Sequence, residues 1–178
     1  MRSVFIVPFI FGLNAFATLI ITRLPSLIIP LHKNSPDSPQ NTQKKAFVQH
    51  DINTEISFDV PSNGASKCKI GFYISTDPSR GAPWELWGAP PLTFNIWSIE
   101  PRINQYTDTW NNHPKVTGWV ATVEVGNTGV ISIVGGDVLC AKGQIAQFLL
   151  TPASGRDFGL TWFELSDPLH GITYEMYN

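Results

Sequence analysis

Apolar and polar positions alternate with a period of two along much of this chain, the mark of half-buried strands. Ile52, Thr54, Ile56, Phe58 and Val60 share one face of such a stretch, and Asn53, Glu55, Ser57 and Asp59 share the other, which is expected to face water. Pro61-Ser-Asn-Gly64 stops this strand and turns the chain. Cys68 to Ile74 alternates next, so a hairpin between the two is the economical connection. Asp77 to Pro91 reads as a loop rich in Pro and Gly. Strands follow at Leu92–Trp97 and at Trp119–Val125, where Trp119, Ala121, Val123 and Val125 form the inward set. Gly126-Asn-Thr-Gly129 is a turn, and Val130–Val134 is its return strand.

The densest apolar signal runs from Leu139 to Tyr174. In it Ile145 and Leu149 line one face, and Ala146, Phe148 and Leu150 the other, so this strand is expected to be buried on both sides. A Ser154-Gly-Arg-Asp-Phe-Gly159 turn leads to Leu160-Thr-Trp-Phe-Glu-Leu165, and the two runs read as a core hairpin on which the upstream strands pack. No apolar face of helical period longer than two turns follows the N-terminal segment. The pattern predicts an all-β fold: an antiparallel β-sandwich of about eight short strands, with a β-barrel as the alternative.

The N-terminus breaks the pattern. Arg2 precedes an apolar run from Val4 to Phe16, and Ala15-Phe16-Ala17 fits the small-x-small rule of a signal peptide cleaved after Ala17. Two alternatives stand beside it. Ser3 to Thr22 is uncharged and about long enough for a membrane anchor, and the run could instead be a buried strand pair. The expected organisation is a signal peptide over 1–17, an extended arm over 18–50 packing on the domain, and a β-sandwich domain over 51–178. In the arm, Pro25 and Pro30 forbid a helix and confine any strand to an edge. Lys33 to Lys45 is polar and reads as a loop.

Composition narrows the class. Charged residues make up 15% of the 178, against a usual share of about 25%, and six Trp and eleven Phe accompany fourteen each of Gly and Pro. The net charge is -2 and becomes -3 once Arg2 leaves with the signal, so no basic footprint for nucleic acid exists. The only two cysteines, Cys68 and Cys140, are expected to pair in a secreted chain; two separately buried thiols are the alternative.

The residue inventory shows no catalytic motif. His32, His50, His113 and His170 are scattered, and none belongs to a zinc-protease helix. Asp51, Asp59 and Asp77 lack calcium-loop spacing, and Pro152-Ala-Ser-Gly155 lacks the first glycine of a nucleophile elbow. Glu85, Glu100, Asp108, Glu124 and Glu164 are the acids from which a glycosidase pair would have to come. No metal site and no cofactor are expected. Trp84, Trp87, Trp97 and Trp110 sit in or beside loops, where exposed rings stack on sugars or anchor a protein partner; as core, they would cover the open ends of the sandwich. Trp119 and Trp162 are expected in the core.

Several short motifs, in order, resemble a known family. These are Leu24-Pro-Ser-Leu-Ile-Ile-Pro30 with Ser35-Pro-Asp37, Ile56-Ser-Phe-Asp-Val-Pro61 with Gly64 and Cys68, and Thr109-Trp-Asn-Asn-His-Pro114. Cys140-Ala-Lys-Gly-Gln-Ile-Ala-Gln-Phe148 and Leu160-Thr-Trp-Phe-Glu164 with Pro168 and Gly171-Ile172 complete the set. Together they are similar to the fungal ubiquitin 3 binding protein But-two C-terminal domain. Ala141-Lys142 replaces that family's Pro-Ala, and Ser75 to Arg102 matches it poorly. The resemblance implies a β-sandwich with no transferable catalytic residue and a family name taken from a ubiquitin-like activating enzyme, an intracellular partner. The expectation is therefore a secreted, non-catalytic module whose partner is a protein or a cell-wall glycan, with no nucleic acid and no membrane after cleavage. The alternatives are a polysaccharide hydrolase, an adaptor for the ubiquitin-like enzyme, and retention by an N-terminal signal anchor.

Overall fold

The computed structural model describes residues 17–178. The signal-peptide reading falls on residues outside that range, apart from Ala17 at its end. Fourteen antiparallel strands make up the described fold: β1 Leu19–Arg23, β2 Leu27–His32, β3 Lys45–Gln49, β4 Ile52–Asp59, β5 Lys67–Tyr73, β6 Trp84–Gly88, β7 Leu92–Ile99, β8 Val116–Val125, β9 Ile131–Gly135, β10 Asp137–Val138, β11 Ile145–Pro152, β12 Phe158–Phe163, β13 Leu165–Ser166 and β14 Leu169–Tyr177. One 3-10 turn, Pro78–Arg80, is the helical exception. The chain is all-β and antiparallel, as the alternation requires, with more strands than the eight expected. Among the described residues no helix is long and apolar enough to cross a membrane.

The strands form two sheets. The larger runs β6-β12-β3-β4-β11-β7-β8-β9, with β2 added on β4, and it curls as a half-barrel. The smaller runs β1-β14-β5-β10, with β13 added on β14. One core fills the space between them. From the large sheet it takes Ile56, Phe58, Phe94, Ile96, Leu150, Leu160 and Trp162, and from the small sheet Cys68, Ile70, Phe72, Ile172 and Tyr174. At its centre the Trp162 ring meets Phe72 edge-on with centroids 5.0 Å apart and stacks with Phe94 at 6.1 Å. Pro30 has no N–H for a second neighbour, and β2 pairs only with β4.

Two expected hairpins do not form. β4 and β5 lie in opposite sheets, so Phe58 and Ile70 enter the core from its two sides instead of lying side by side in one layer. β11 and β12 share a sheet but are separated by β4 and β3. β11 pairs with β4 on one side and β7 on the other. From Ala146 to Leu150 it is buried on both faces, as its continuous apolar run predicts. The β8–β9 hairpin forms as expected, closed by the Gly126 N–H donating to the Val130 carbonyl at 2.9 Å.

Three residue-level expectations are corrected. Trp84–Gly88, expected as loop, is β6, because β12 offers it a free edge. Trp119 is 49% exposed, not core. The register of β7 against β8 slips at this point: Ile96 faces Ala121 while Trp97 faces Trp119, leaving Val120 as an extra residue. This bulge turns both Val120 and Ala121 inward and Trp119 out. The third correction is the wet face of β4, where Glu55 and Ser57 are buried. A second apolar layer covers them: Ile29, Leu31, Ile99 and Leu149, with Trp97, Ile103 and Trp110 packed against it.

Trp162 and Trp119 therefore differ sharply in what they contribute. Replacing Trp162 by Ala should lower the unfolding free energy by about 3–5 kcal/mol, whereas Trp119→Ala should change it by about 0.5 kcal/mol or less. Urea titrations of the two variants check this, and equal losses would contradict the bulge.

Candidate functional site

The disulfide builds one end of the sandwich. Cys68 and Cys140 are bonded, with Cα atoms 5.2 Å apart. β10 lies directly before Cys140 and pairs with β5, placing Val138 opposite Cys68. The buried Tyr174 then grips the intervening residue: its hydroxyl donates to the Leu139 carbonyl at 3.0 Å and accepts from the Ala141 N–H at 3.2 Å. Burial holds the Tyr174 phenol above its ordinary pKa, so it stays a donor. With its backbone fixed on both sides, Leu139 still points its side chain at solvent and is 95% exposed.

Leu139 stands at the rim of a groove of about 420 Å³. Trp119 and Val120 of the β8 bulge, Ile145 to Phe148 of β11, and Ile99 with Pro101 line it. Trp119 and Ile145 are each more than 40% exposed. The Trp119 indole N–H is tied to the Thr122 hydroxyl at 3.1 Å, which fixes the ring orientation. Lone exposed apolar side chains are ordinary; several held rigidly around one concavity are the mark of a contact site. The sequence reading missed the groove because it placed Trp119 in the core and took Ile145 and Leu139 as parts of a hairpin.

The four tryptophans singled out by sequence do not form one site. Trp97 and Trp110 come together, part-buried, on the outer apolar layer, and Trp97 donates its N–H to Thr151 at 2.9 Å. Trp84 packs against the main core. Trp87 is exposed on β6 and lies flat over Gly159, where a Cβ would sit only 2.2 Å from its indole nitrogen.

The five candidate acids are also apart. Glu85 is paired with Lys45 at 3.5 Å and Glu100 with Arg102 at 2.8 Å, while Glu124 is exposed on β8. Glu164 sits where the chain leaves β12. It accepts the Trp162 indole N–H at 2.7 Å and the Ile172 N–H at 3.0 Å, while burial pushes its carboxyl up to about 8. It lies so close over Gly171 that a Cβ there would meet its oxygen at 2.1 Å, and Gly171 adopts φ 105°, open only to glycine. The histidines are scattered: His170 is buried and accepts the Ser75 N–H, His50 faces Asp157, and His113 contacts the Pro114 carbonyl.

Asp108 alone has a close carboxyl neighbour, and it is Glu55. Glu55 is fully buried, and no N–H or hydroxyl of the described residues reaches either of its oxygens. Burial first, then the charge of Asp108, push the Glu55 carboxyl up to about 8. Burial disfavours the charged form, so Glu55 keeps its proton below that value. An acid sealed from solvent cannot reach a glycosidic bond, so Glu55 gives Asp108 no glycosidase partner. Nearby, Gln147 donates to Ser57 at 3.1 Å and accepts the Ile103 N–H at 2.9 Å, tying the 101–114 loop to the sheet. Strand alternation hid both Glu55 and Gln147, because the loop that covers them carries no periodic signal.

Residues 23–168 match the family model described as the ubiquitin 3 binding protein But2 C-terminal domain. The chain belongs to that family. No curated protein matches it.

The two raised carboxyls set a pH dependence. Each binds its proton more tightly in the folded chain, so its contribution is complete below the ordinary value of 4.5 and is lost as pH rises to about 8. Unfolding free energy, measured with chelator present, should fall across that window. Glu55→Gln, which keeps the shape without the charge, should remove a large part of the fall. A wild-type curve that stays level would show both groups ionised in the folded state.

Proposed function

We propose that this member of the But2 C-terminal domain family is a secreted, non-catalytic module that binds a protein partner through the groove of Trp119, Leu139 and Ile145. The observation that carries the reading is Leu139, 95% exposed yet held by the disulfide and by Tyr174 beside two other exposed apolar side chains. Such pre-ordering lowers the entropy lost when a partner docks. Secretion is supported by the Cys68–Cys140 bond, which persists in oxidising compartments, together with the apolar run and the Ala15-Phe16-Ala17 site.

A protein suits the groove better than a cell-wall glycan. Sugar faces are held by exposed aromatic platforms with polar groups around them. Here the rim is mostly aliphatic, and Trp87, the exposed member of the four candidate tryptophans, stands away from it on β6. The family description names a protein ligand, ubiquitin 3, and this favours a second reading in which a ubiquitin-fold protein meets the domain inside the cell.

The full chain expressed in a fungal host should appear in the medium with Thr18 at its N-terminus. The mature form and its Leu139→Asp variant are then compared on a glycan array, against purified ubiquitin by calorimetry, and against extracellular proteins identified by affinity selection and remeasured pure. A protein partner whose affinity drops at least tenfold in Leu139→Asp supports the groove. Glycan binding that survives the substitution, or retention of the chain inside the cell, would overturn the reading.

A further inference from the structure

A second cavity, on the small sheet, shares no lining residue with the groove. Along β5, Cys68, Ile70 and Phe72 enter the core, so Lys69, Gly71 and Tyr73 face outward. Along β14, Ile172, Tyr174 and Met176 enter the core, so Thr173, Glu175 and Tyr177 lie on the same outer face. Glu175 is nonetheless only 4% exposed. Its carboxylate lies directly over Gly71, where a Cβ would meet Oε1 at 2.5 Å. Three hydroxyls donate to it: Tyr73 at 2.5 Å and Thr173 at 3.0 Å to Oε1, and Tyr177 to Oε2. A carboxylate offers about four lone-pair sites, so one remains on Oε2.

All three donors are neutral. Among the described residues no Lys, Arg or His lies within ion-pair distance of Glu175. Buried charges in proteins are paired or coordinate a metal, and here the positive partner is missing. Lys69 stands opposite Glu175 in the register of β5 and β14. Its Cγ and Cε instead pass 3.6 Å from the Cβ position of Gly136, so its stem leans toward the start of β10. Glu175 borders a cavity of about 410 Å³ that Lys69, Tyr73, Leu169, Ile131 and Ile133 also line, a size within the range of ligand sites. A metal ion would need several more oxygens than one carboxylate offers, and no group of three or more His, Cys, Asp or Glu is assembled among the described residues. The carboxylate suits a positive head, and the aliphatic lining suits a hydrocarbon stem.

We infer that this cavity binds an alkylammonium group. Glu175 accepts the ammonium at its remaining Oε2 site, and Ile131, Ile133 and Leu169 pack on the methylenes. The hydroxyls of Tyr73, Thr173 and Tyr177 already hold the carboxylate in place, so little is lost in ordering it when the ligand arrives. Lys69 opposes any cation from the same cavity and so limits the affinity. A free aliphatic amine and a lysine side chain of another protein present the same chemistry here. The site stands independently of the groove.

The test titrates the full mature chain by calorimetry at low salt with n-pentylamine and with Nα-acetyl-lysine amide, and uses n-pentanol as the uncharged control. Pentylamine should bind at least tenfold more tightly than pentanol. Glu175→Gln, checked for native circular dichroism, should weaken pentylamine at least tenfold. Leu169→Lys, at a position 36% exposed, should do the same by adding a positive charge to the cavity, and it keeps the test decisive if Glu175→Gln does not fold. Lys69→Met should tighten binding by relieving the repulsion. Leu139→Asp in the groove should leave pentylamine binding unchanged, so the two sites succeed or fail separately. Either amine binding in this pattern supports the site: pentylamine alone assigns it to free amines, and the lysine amide as well assigns it to a lysine side chain. No binding of either amine at millimolar concentration would overturn the inference. So would equal binding of pentanol, or an unchanged affinity in a folded Glu175→Gln or Leu169→Lys chain.

Discussion

The indole of Trp162 has a single polar atom, and it lies at the meeting point of the two sheets. Phe72 from the small sheet and Phe94 from the large one close on its ring, so its N–H has no water to turn to. Glu164, two residues on, supplies the acceptor. That bond fixes where the chain leaves β12, and it obliges Gly171 to pass beneath the carboxylate without a side chain. The same carboxylate accepts the Ile172 N–H, which starts β14 against β5. One hydrogen bond thus connects the packing of the core to the crossing between sheets. In this chain the geometry accounts for the Trp162-Phe-Glu164 block with no catalytic role.

From that crossing the two ends of the sandwich acquire different characters. At one end, β14 carries Tyr174 to the disulfide, and together they hold Leu139 out into solvent beside the bulged strand. On the outer face of the large sheet, the 101–114 loop lies over β4 and β11, bound by Gln147, which accepts the Ile103 N–H. The first arrangement leaves apolar surface exposed. The second hides apolar surface beneath the loop.

The sequence readings that held rested on local periodicity. The alternation of Leu92, Phe94 and Ile96, the Gly126–Gly129 turn and the doubly buried Ala146–Leu150 run each depend on neighbours within a few residues, and each appears as expected. The readings that failed depended on distant partners. Trp119 continued the alternation of its strand, and only the register against β7 turned it outward. Glu55 occupied the polar side of its strand, and only a loop some fifty residues later made that side an interior.

Composition and pattern by themselves determined that this chain is all-β, antiparallel and joined by Cys68–Cys140, because strand faces and cysteine number are written residue by residue. The motif order determined the family for the same reason. Tertiary structure alone decided which strands pair, which tryptophans see water, and which acid loses its solvent. Those outcomes arise when segments far apart in the chain compete for the same faces, and periodicity in one segment holds no record of what will cover it.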